Sequence, residues 1–307
     1  MQGKTIAFVQ KMCIIGKDLI LERRRMAMQK RAIAVHDISC VGRCSLTVAL
    51  PVLSAAGLNT AIIPTALLST HTGEFTGYTH LDLSAQLRPI GDHLSTLGLH
   101  YDTFYSGYLA NGAQVDDVLR LMDQLCDPQT HIFVDPAFGD HGRMYSLMDE
   151  SMPRQMRRLV SRARTIVPNV TEASFLLQEA YPGEDAGEEI ISDFCRRLLS
   201  LGPENVVITD VHFRPGETGI GILSRGMEKP LYRFHQRFQG VFHGTGDVLA
   251  SFLLGALMND LPLEKAAGVA LDMTYASIVE TLRDGEPLRY GMQFEKVLPL
   301  FWQRIAK

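Results

Sequence analysis

Several absences narrow this 307-residue chain at once. No apolar run reaches the roughly 18 residues that a membrane span needs. Cysteine is scarce, with 5 residues (Cys13, Cys40, Cys44, Cys126, Cys195); an odd, scattered set excludes a complete disulfide framework and suits a reducing compartment, the cytoplasm. Cys40 and Cys44 have no second Cys/His pair at zinc-finger spacing, and the 10 histidines form no HExxH pair. No basic stretch is interleaved with aromatics and the net charge is −4, so a nucleic-acid surface is not expected. GxxxxGK[ST], GxGxxG and GxSxG are all missing, which sets aside Walker-type, dinucleotide and serine-hydrolase sites. No Pro/Ser-rich linker or repeat divides the chain.

The first 27 residues stand apart. Gln10 and Lys11 break their short apolar patch and no small-residue cleavage site follows, so they make a poor signal peptide. Codons for Glu22-Arg23-Arg24-Arg25 can read as a bacterial ribosome-binding site. Our hypothesis is that translation starts at Met26 or Met28 and that residues 1–27 are a non-native extension; peptides from before Met26 in protein made from the natural gene would reject it. Without those residues the charge is 24 − 32 = −8, and residues 28–307 read as one domain.

What is present is a composition of 46% hydrophobic and 21% charged residues, that of a globular protein with a substantial core. From Lys30 on, short β-branched runs alternate with amphipathic segments. Strands are predicted at 32–37, 60–68, 101–108, 131–136, 165–169 and 205–210. Helices are predicted at 46–57, 83–98, 113–126, 152–163, from about 171, and at 192–202. Two antiparallel strands (219–226, 230–238) precede two closing helices. The alternation predicts an α/β fold: a mostly parallel sheet of right-handed βαβ units with helices on both faces. Ligands bind such sheets at the carboxyl ends of the strands, where Asp37, Ser39, Tyr108, Asp135, Asn169, Thr209 and Asp210 fall. Taken one at a time, such residues can equally be plain strand-end polar groups.

The stretch "GVFHGTGDVLASFLLGALM" (240–258) adds the chemistry. Its apolar part predicts a buried helix, whose first turn carries free N–H groups and the positive end of the helix dipole. Gly244 and Gly246 allow close approach, so that turn forms an anion cradle. A lone carboxylate there could be an N-cap. That reading leaves Gly244, Thr245 and Gly246 beside Asp247 unexplained. A cradle holding a carboxylate suits phosphoryl transfer to an alcohol: amides hold the phosphate charge and the carboxylate takes the hydroxyl proton.

"HGTGD" resembles the anion-hole and aspartate motif of the ribokinase superfamily. "THTGE" (70–74), "YSGYL" (105–109), "VDPAFGD" (134–140), "VPNVTEASFLL" (167–177) and "VVITD" (206–210) resemble, in order, segments of its vitamin-kinase branch, the pyridoxal kinases. The resemblance implies a ribokinase-like fold with a small flap (73–80) over the substrate, and transfer of phosphate from ATP to the 5′-hydroxymethyl group of a B6 vitamer. It implies Asp247 as base and Gly244, Thr245 and Gly246 as anion hole. Asp140 and Glu172 would sit near Mg²⁺ and the phosphates, with Asp135 helping to hold a monovalent cation such as K⁺. Asn169, Thr209, Asp210 and Thr245 would lie along the nucleotide, and Asp37, Ser39, Thr72 and Tyr108 around the vitamer. A homodimer is implied as well.

Three departures matter. Asp37 stands where many pyridoxal kinases have serine, which is also similar to hydroxymethylpyrimidine kinases; those usually end the anion hole in cysteine, where this chain has Asp247. "THT" replaces "NHT". Val167 replaces a threonine and removes a hydroxyl from the K⁺ site. The alternatives are hydroxymethylpyrimidine kinase, a non-catalytic B6-vitamer-binding protein, against which Asp247 speaks, and a sugar kinase, which the "HTG" and "SGY" segments disfavour.

Overall fold

The computed structural model describes residues 29–146, 148–184 and 186–306, so the expected extension 1–27 lies outside the described residues. Residues 31–307 form one compact unit. Its centre is β1 (Arg31–Val41), flanked by parallel strands β2 (Asn59–Thr70) and β4 (Thr103–Ser106). The parallel run continues through β5 (His131–Val134), β8 (Thr165–Ile166) and β9 (Asn205–Val211). Antiparallel strands close both edges: β3 (His80–Asp82) beside β2, and β10 (Glu217–Ser224) with β11 (Leu231–Gln236) beyond β9. The order is β11-β10-β9-β8-β5-β4-β1-β2-β3. A separate two-stranded hairpin, β6 (Gly139–Asp140) and β7 (Arg143–Met144), follows β5.

Strand residues alternate between two cores, as a period of two requires. Ile33, Val35, Phe104, Val134, Ile166, Val206 and Ile208 face one cluster. That cluster also takes residues from α2 (Ser84–Ser95), α3 (Gly112–Leu125), α4 (Met152–Val160), α5 (Val170–Leu176) and α6 (Glu188–Ser200). Ala32, Tyr105, Phe133, Val167 and Val207 face the other, built on α1 (Leu46–Ala55), α7 (Thr245–Met258), α8 (Leu263–Asp284) and α9 (Leu298–Ile305). The sheet is thus covered on both faces, as expected for parallel strands. No described helix is long and apolar enough to cross a membrane.

The differences from expectation have local causes. The strand expected at 101–108 is only Thr103–Ser106; the Gly107 N–H still donates to the Val35 carbonyl at 3.1 Å, and the chain then runs on to α3. Three helices close the chain, where two are expected; α9 starts with Pro299 in its first turn after a 3₁₀ turn at Glu295–Val297 and packs Phe301 edge-on against Phe252 of α7, rings 4.6 Å apart. The short strands β3, β6 and β7 carry too few residues to show a period.

Candidate active site

At the carboxyl end of the sheet four acidic side chains, Asp37, Asp135, Glu172 and Asp247, meet the start of α7. Gly244 is the N-cap of α7, in the left-handed region at φ 78, and no side chain caps this end. Asp247 is the third residue of the helix, so its carboxylate is not the N-cap group. The glycine is required for two reasons: its φ, and the Arg43 carbonyl, which a Cβ would strike. A Cβ on Gly246, by contrast, would meet nothing within 4 Å. The uncapped first turn therefore opens on free space at Gly246, the geometry an anion needs. The Thr245 hydroxyl donates to the Phe242 carbonyl at 3.2 Å.

Asp37 lies where the β1–β2 register slips, between His36 and Ile38. This irregularity turns its carboxyl toward Ser45, at the start of α1. The Ser45 hydroxyl hydrogen-bonds Asp37 and the Ser45 N–H donates to Asp247, so one residue bridges both acids. Ser45 sits at φ 50, a strained conformation for a residue with a Cβ. The pattern gives no sign of Ser45, because its role comes from backbone shape. Burial pushes the Asp247 carboxyl up to about 7, and the Asp37 charge adds to this against the Ser45 N–H. Burial raises Asp37 too. Ser39 is fully buried beside the Cys44 thiol, and burial next to Asp247 and Asp37 pushes that thiol up, leaving it un-ionised.

Glu172 has a structural duty as well as a charge. Asn169 caps α5 by accepting the Glu172 N–H at 2.8 Å, and Glu172 Oε2 accepts the Asn169 N–H at 2.9 Å, a reciprocal capping box. Glu172 Oε1 accepts the Phe138 N–H at 2.9 Å, and Asn169 Nδ2 donates to the Gly139 carbonyl at 2.8 Å. The pair thus clasps the 138–140 turn to the start of α5 and sets Asp140. Burial pushes Glu172 up to about 8 against its three N–H partners. Asp135 is raised by burial and by the Glu172 and Asp247 charges. Asp140, half-buried, is raised by burial.

Asn169 and Thr209 form a parallel bridge that extends the sheet. Asp210, at φ 60, contacts His212 Nε2 at 3.0 Å. Burial alone would raise Asp210, but the His212 hydrogen bond and charge, together with the His141 and Arg237 charges, outweigh it and hold the carboxyl low. Tyr108 faces this centre, its phenol pushed up to about 12 by burial and the Asp37 charge. Tyr145, which the sequence pattern does not single out, lies 6.4 Å from the Tyr108 ring; the residue is 40% exposed, but its phenol end points inward, where burial first, then the Glu172, Asp140, Asp135 and Asp247 charges, raise it. Thr72 is exposed on its loop, while His71 beside it is buried. Two clefts, of about 450 and 460 Å³, lie elsewhere and contain none of these residues.

Among the described residues no three His, Cys, Asp or Glu side chains stand close enough to cage a metal ion alone. The donors suit Mg²⁺ nonetheless. Asp135, Asp140 and Glu172 are hard oxygen groups whose charges oppose one another, and Mg²⁺ takes one or two carboxylates with water and phosphate.

A carboxylate poised near neutrality beside an open helix N-terminus, at the carboxyl end of a parallel sheet, defines a phosphotransferase acting on an alcohol. Comparison with known proteins makes this particular. The family model described as phosphomethylpyrimidine kinase matches residues 49–290. A crystal structure from Bacteroides thetaiotaomicron, provisionally assigned as a phosphomethylpyrimidine kinase and determined with pyridoxal, is 33% identical; the match covers 89% of this chain and 96% of that one, with a TM-score of 0.82. Pyridoxal kinase from Lactobacillus plantarum is 29% identical over 90% of this chain and 97% of its own, with a TM-score of 0.80. Pyridoxine/pyridoxal/pyridoxamine kinase from Bordetella avium is 28% identical over 253 residues, 76% of this chain and 79% of that one. The chain belongs to the phosphomethylpyrimidine kinase family, on its pyridoxal kinase side.

Proposed function

We propose that this protein transfers the γ-phosphoryl group of ATP to the 5′-hydroxymethyl group of pyridoxal, pyridoxine or pyridoxamine, a step of pyridoxal phosphate salvage. The observation that carries this reading is Asp247, raised to about 7, in the third position of an uncapped α7. Asp247 takes the hydroxyl proton as the vitamer oxygen bonds to the γ-phosphorus, and the bond to the β,γ-bridging oxygen breaks, leaving ADP. The N–H groups of Thr245 and Gly246 hold the charge on the transferred phosphoryl. Asp37, Ser39, Thr72 and Tyr108 enclose the vitamer; Asn169, Thr209, Asp210 and Thr245 line the nucleotide. Asp140 and Glu172 would hold Mg²⁺ through water, and its charge would neutralise the phosphates. Asp135 would help hold a monovalent cation such as K⁺, to which the Val167 side chain offers no oxygen. Positioning and electrostatics supply the acceleration. The enzyme works as a cytoplasmic homodimer, which light scattering tests by mass.

The deciding experiment measures ADP formation with pyridoxal, pyridoxine, pyridoxamine and hydroxymethylpyrimidine in parallel. Turnover on the three vitamers supports the reading. Turnover on hydroxymethylpyrimidine alone overturns it for a thiamine-branch kinase, and vitamer binding without ADP release for a carrier.

A further inference from the structure

Beside the anion hole, the loop carrying Thr72 is tied down through one histidine. His71 is buried and uses both ring nitrogens. Its Nδ1 accepts the Gly73 N–H at 3.1 Å, so its Nε2 carries the proton and donates to the Arg289 carbonyl at 2.6 Å. Those two bonds join the 71–75 loop to a turn 218 residues further along. The His71 ring also lies 5.1 Å from the His243 ring, one residue before Gly244. His243 Nε2 stands 3.6 Å from Glu74. Phe75 packs edge-on against His71 at 5.0 Å and at a tilt against Tyr290 at 5.6 Å, and the Arg289 guanidinium lies over Phe75 at 5.3 Å.

The turn at 289–291 is itself fixed to the support of the anion hole. The Arg43 N–H donates to the Tyr290 carbonyl at 3.0 Å, and the Arg43 side chain pairs with Glu295 at 2.8 Å and Glu286 at 2.9 Å. The Arg43 carbonyl abuts Gly244. Two further glycines make room for the rings: a Cβ on Gly42 would strike His71, and one on Gly73 would come within 2.6 Å of His243. The loops at 42–45, 71–75, 242–244 and 289–291 therefore form one contiguous assembly, with His71 at its centre.

We propose that His71 is a positioning residue of phosphoryl transfer: through Gly73 and Arg289 it locks the 71–75 loop to the frame that holds the anion hole, fixing Thr72 and the bound alcohol relative to the phosphoryl. The proposal rests on the kinase reading above. The ring acts in its neutral form, because a proton on Nδ1 would face the Gly73 N–H.

His71→Phe keeps a ring of similar size and removes both hydrogen bonds. In the ligand-free protein, amide hydrogen exchange across residues 72–76 is expected to accelerate at least tenfold, with exchange of the central strands unchanged. In turnover, kcat is expected to fall on the order of 10- to 100-fold, as for a misplacement of about 1 Å, with the KM for ATP unchanged and more ATP hydrolysed per vitamer phosphorylated. His71→Gln, which can still donate toward Arg289, is expected to restore part of the coupling. Unchanged exchange at 72–76 in His71→Phe overturns the lock whatever the substrate proves to be. Accelerated exchange with wild-type kcat and coupling overturns the positioning role. Should His71→Phe fold poorly, Arg289→Gly loosens the turn without touching the histidine and is read by the same exchange measurement. Wild-type protein that phosphorylates no vitamer counts against the proposed function, while the exchange result still decides the lock.

Discussion

Asp247 works as a base only when ionised, and burial holds its carboxyl near 7. The value of kcat/KM should therefore climb tenfold per unit as pH rises toward about 7 and level off above it. A flat profile between pH 5 and 8 would remove Asp247 from that role. Asp247→Ala should lose several orders of magnitude in turnover while still folding. The same shift bears on stability. The folded pKa lies above the unfolded one, so this group's contribution is present below about 4 and lost as pH rises through about 7. Asp247→Asn should thus gain Tm relative to wild type between pH 5 and 8, read from melts at the two values. Glu172 is different, because its oxygens accept N–H groups on two segments. In Glu172→Gln an NH₂ group must face either the Asn169 or the Phe138 N–H, at an expected cost of about 1–3 kcal/mol by denaturant titration.

At the start of α7 two glycines two residues apart have opposite duties, and substitution separates them. Gly244→Ala meets both an unfavourable φ and the Arg43 carbonyl, so a loss of about 1–3 kcal/mol is expected, seen as a lower Tm. Gly246→Ala meets nothing within 4 Å, and alanine suits a helix better than glycine by up to about 1 kcal/mol. Its Tm should hold or rise. If the open face of Gly246 receives the phosphoryl, the same variant should raise the KM for ATP or lower kcat by at least tenfold. A fully active Gly246→Ala would mean that the phosphate lies elsewhere. Element by element, the reading from sequence succeeded where a segment was long and periodic, as in α3, and misjudged lengths that tertiary pairing sets. The strand expected at 165–169 is found, but its ladder is only Thr165–Ile166, the part paired with β5 and β9 on either side.

For the molecule as a whole, a site at the meeting point of β1, β4, β5, β8, β9 and α7 couples ligand binding to global stability. Pyridoxal together with an ATP analogue and Mg²⁺, each at about 100 times its Kd, should stabilise by about 2.7 kcal/mol per independently bound ligand, seen as a raised Tm. A protein beginning at Met28 should match the full chain in Tm and kcat, since β1 starts at Arg31, whose N–H donates to Asp102 at 2.8 Å within the same unit. A loss on truncation would assign a role to the residues before it.

The order of apolar runs and turns determined the α/β class, the carboxyl-end location of the candidate site and the GTGD turn, because periodicity and glycine spacing are local properties that a linear pattern records. Asp37, Asp135 and Asp247 are legible as candidates for the same reason, and Glu172 only through the resemblance of the segment 167–177. Only the tertiary structure decided that Asp247 is the third residue of α7 with Gly244 as the cap, that Ser45 bridges two acids, that Tyr145 joins them, and that His71 ties the Thr72 loop to residue 289. Those facts depend on segments far apart in the chain meeting at hydrogen-bonding distance, and on burial that shifts a carboxyl by several pH units. Neither is encoded in the spacing of residues along one strand or helix.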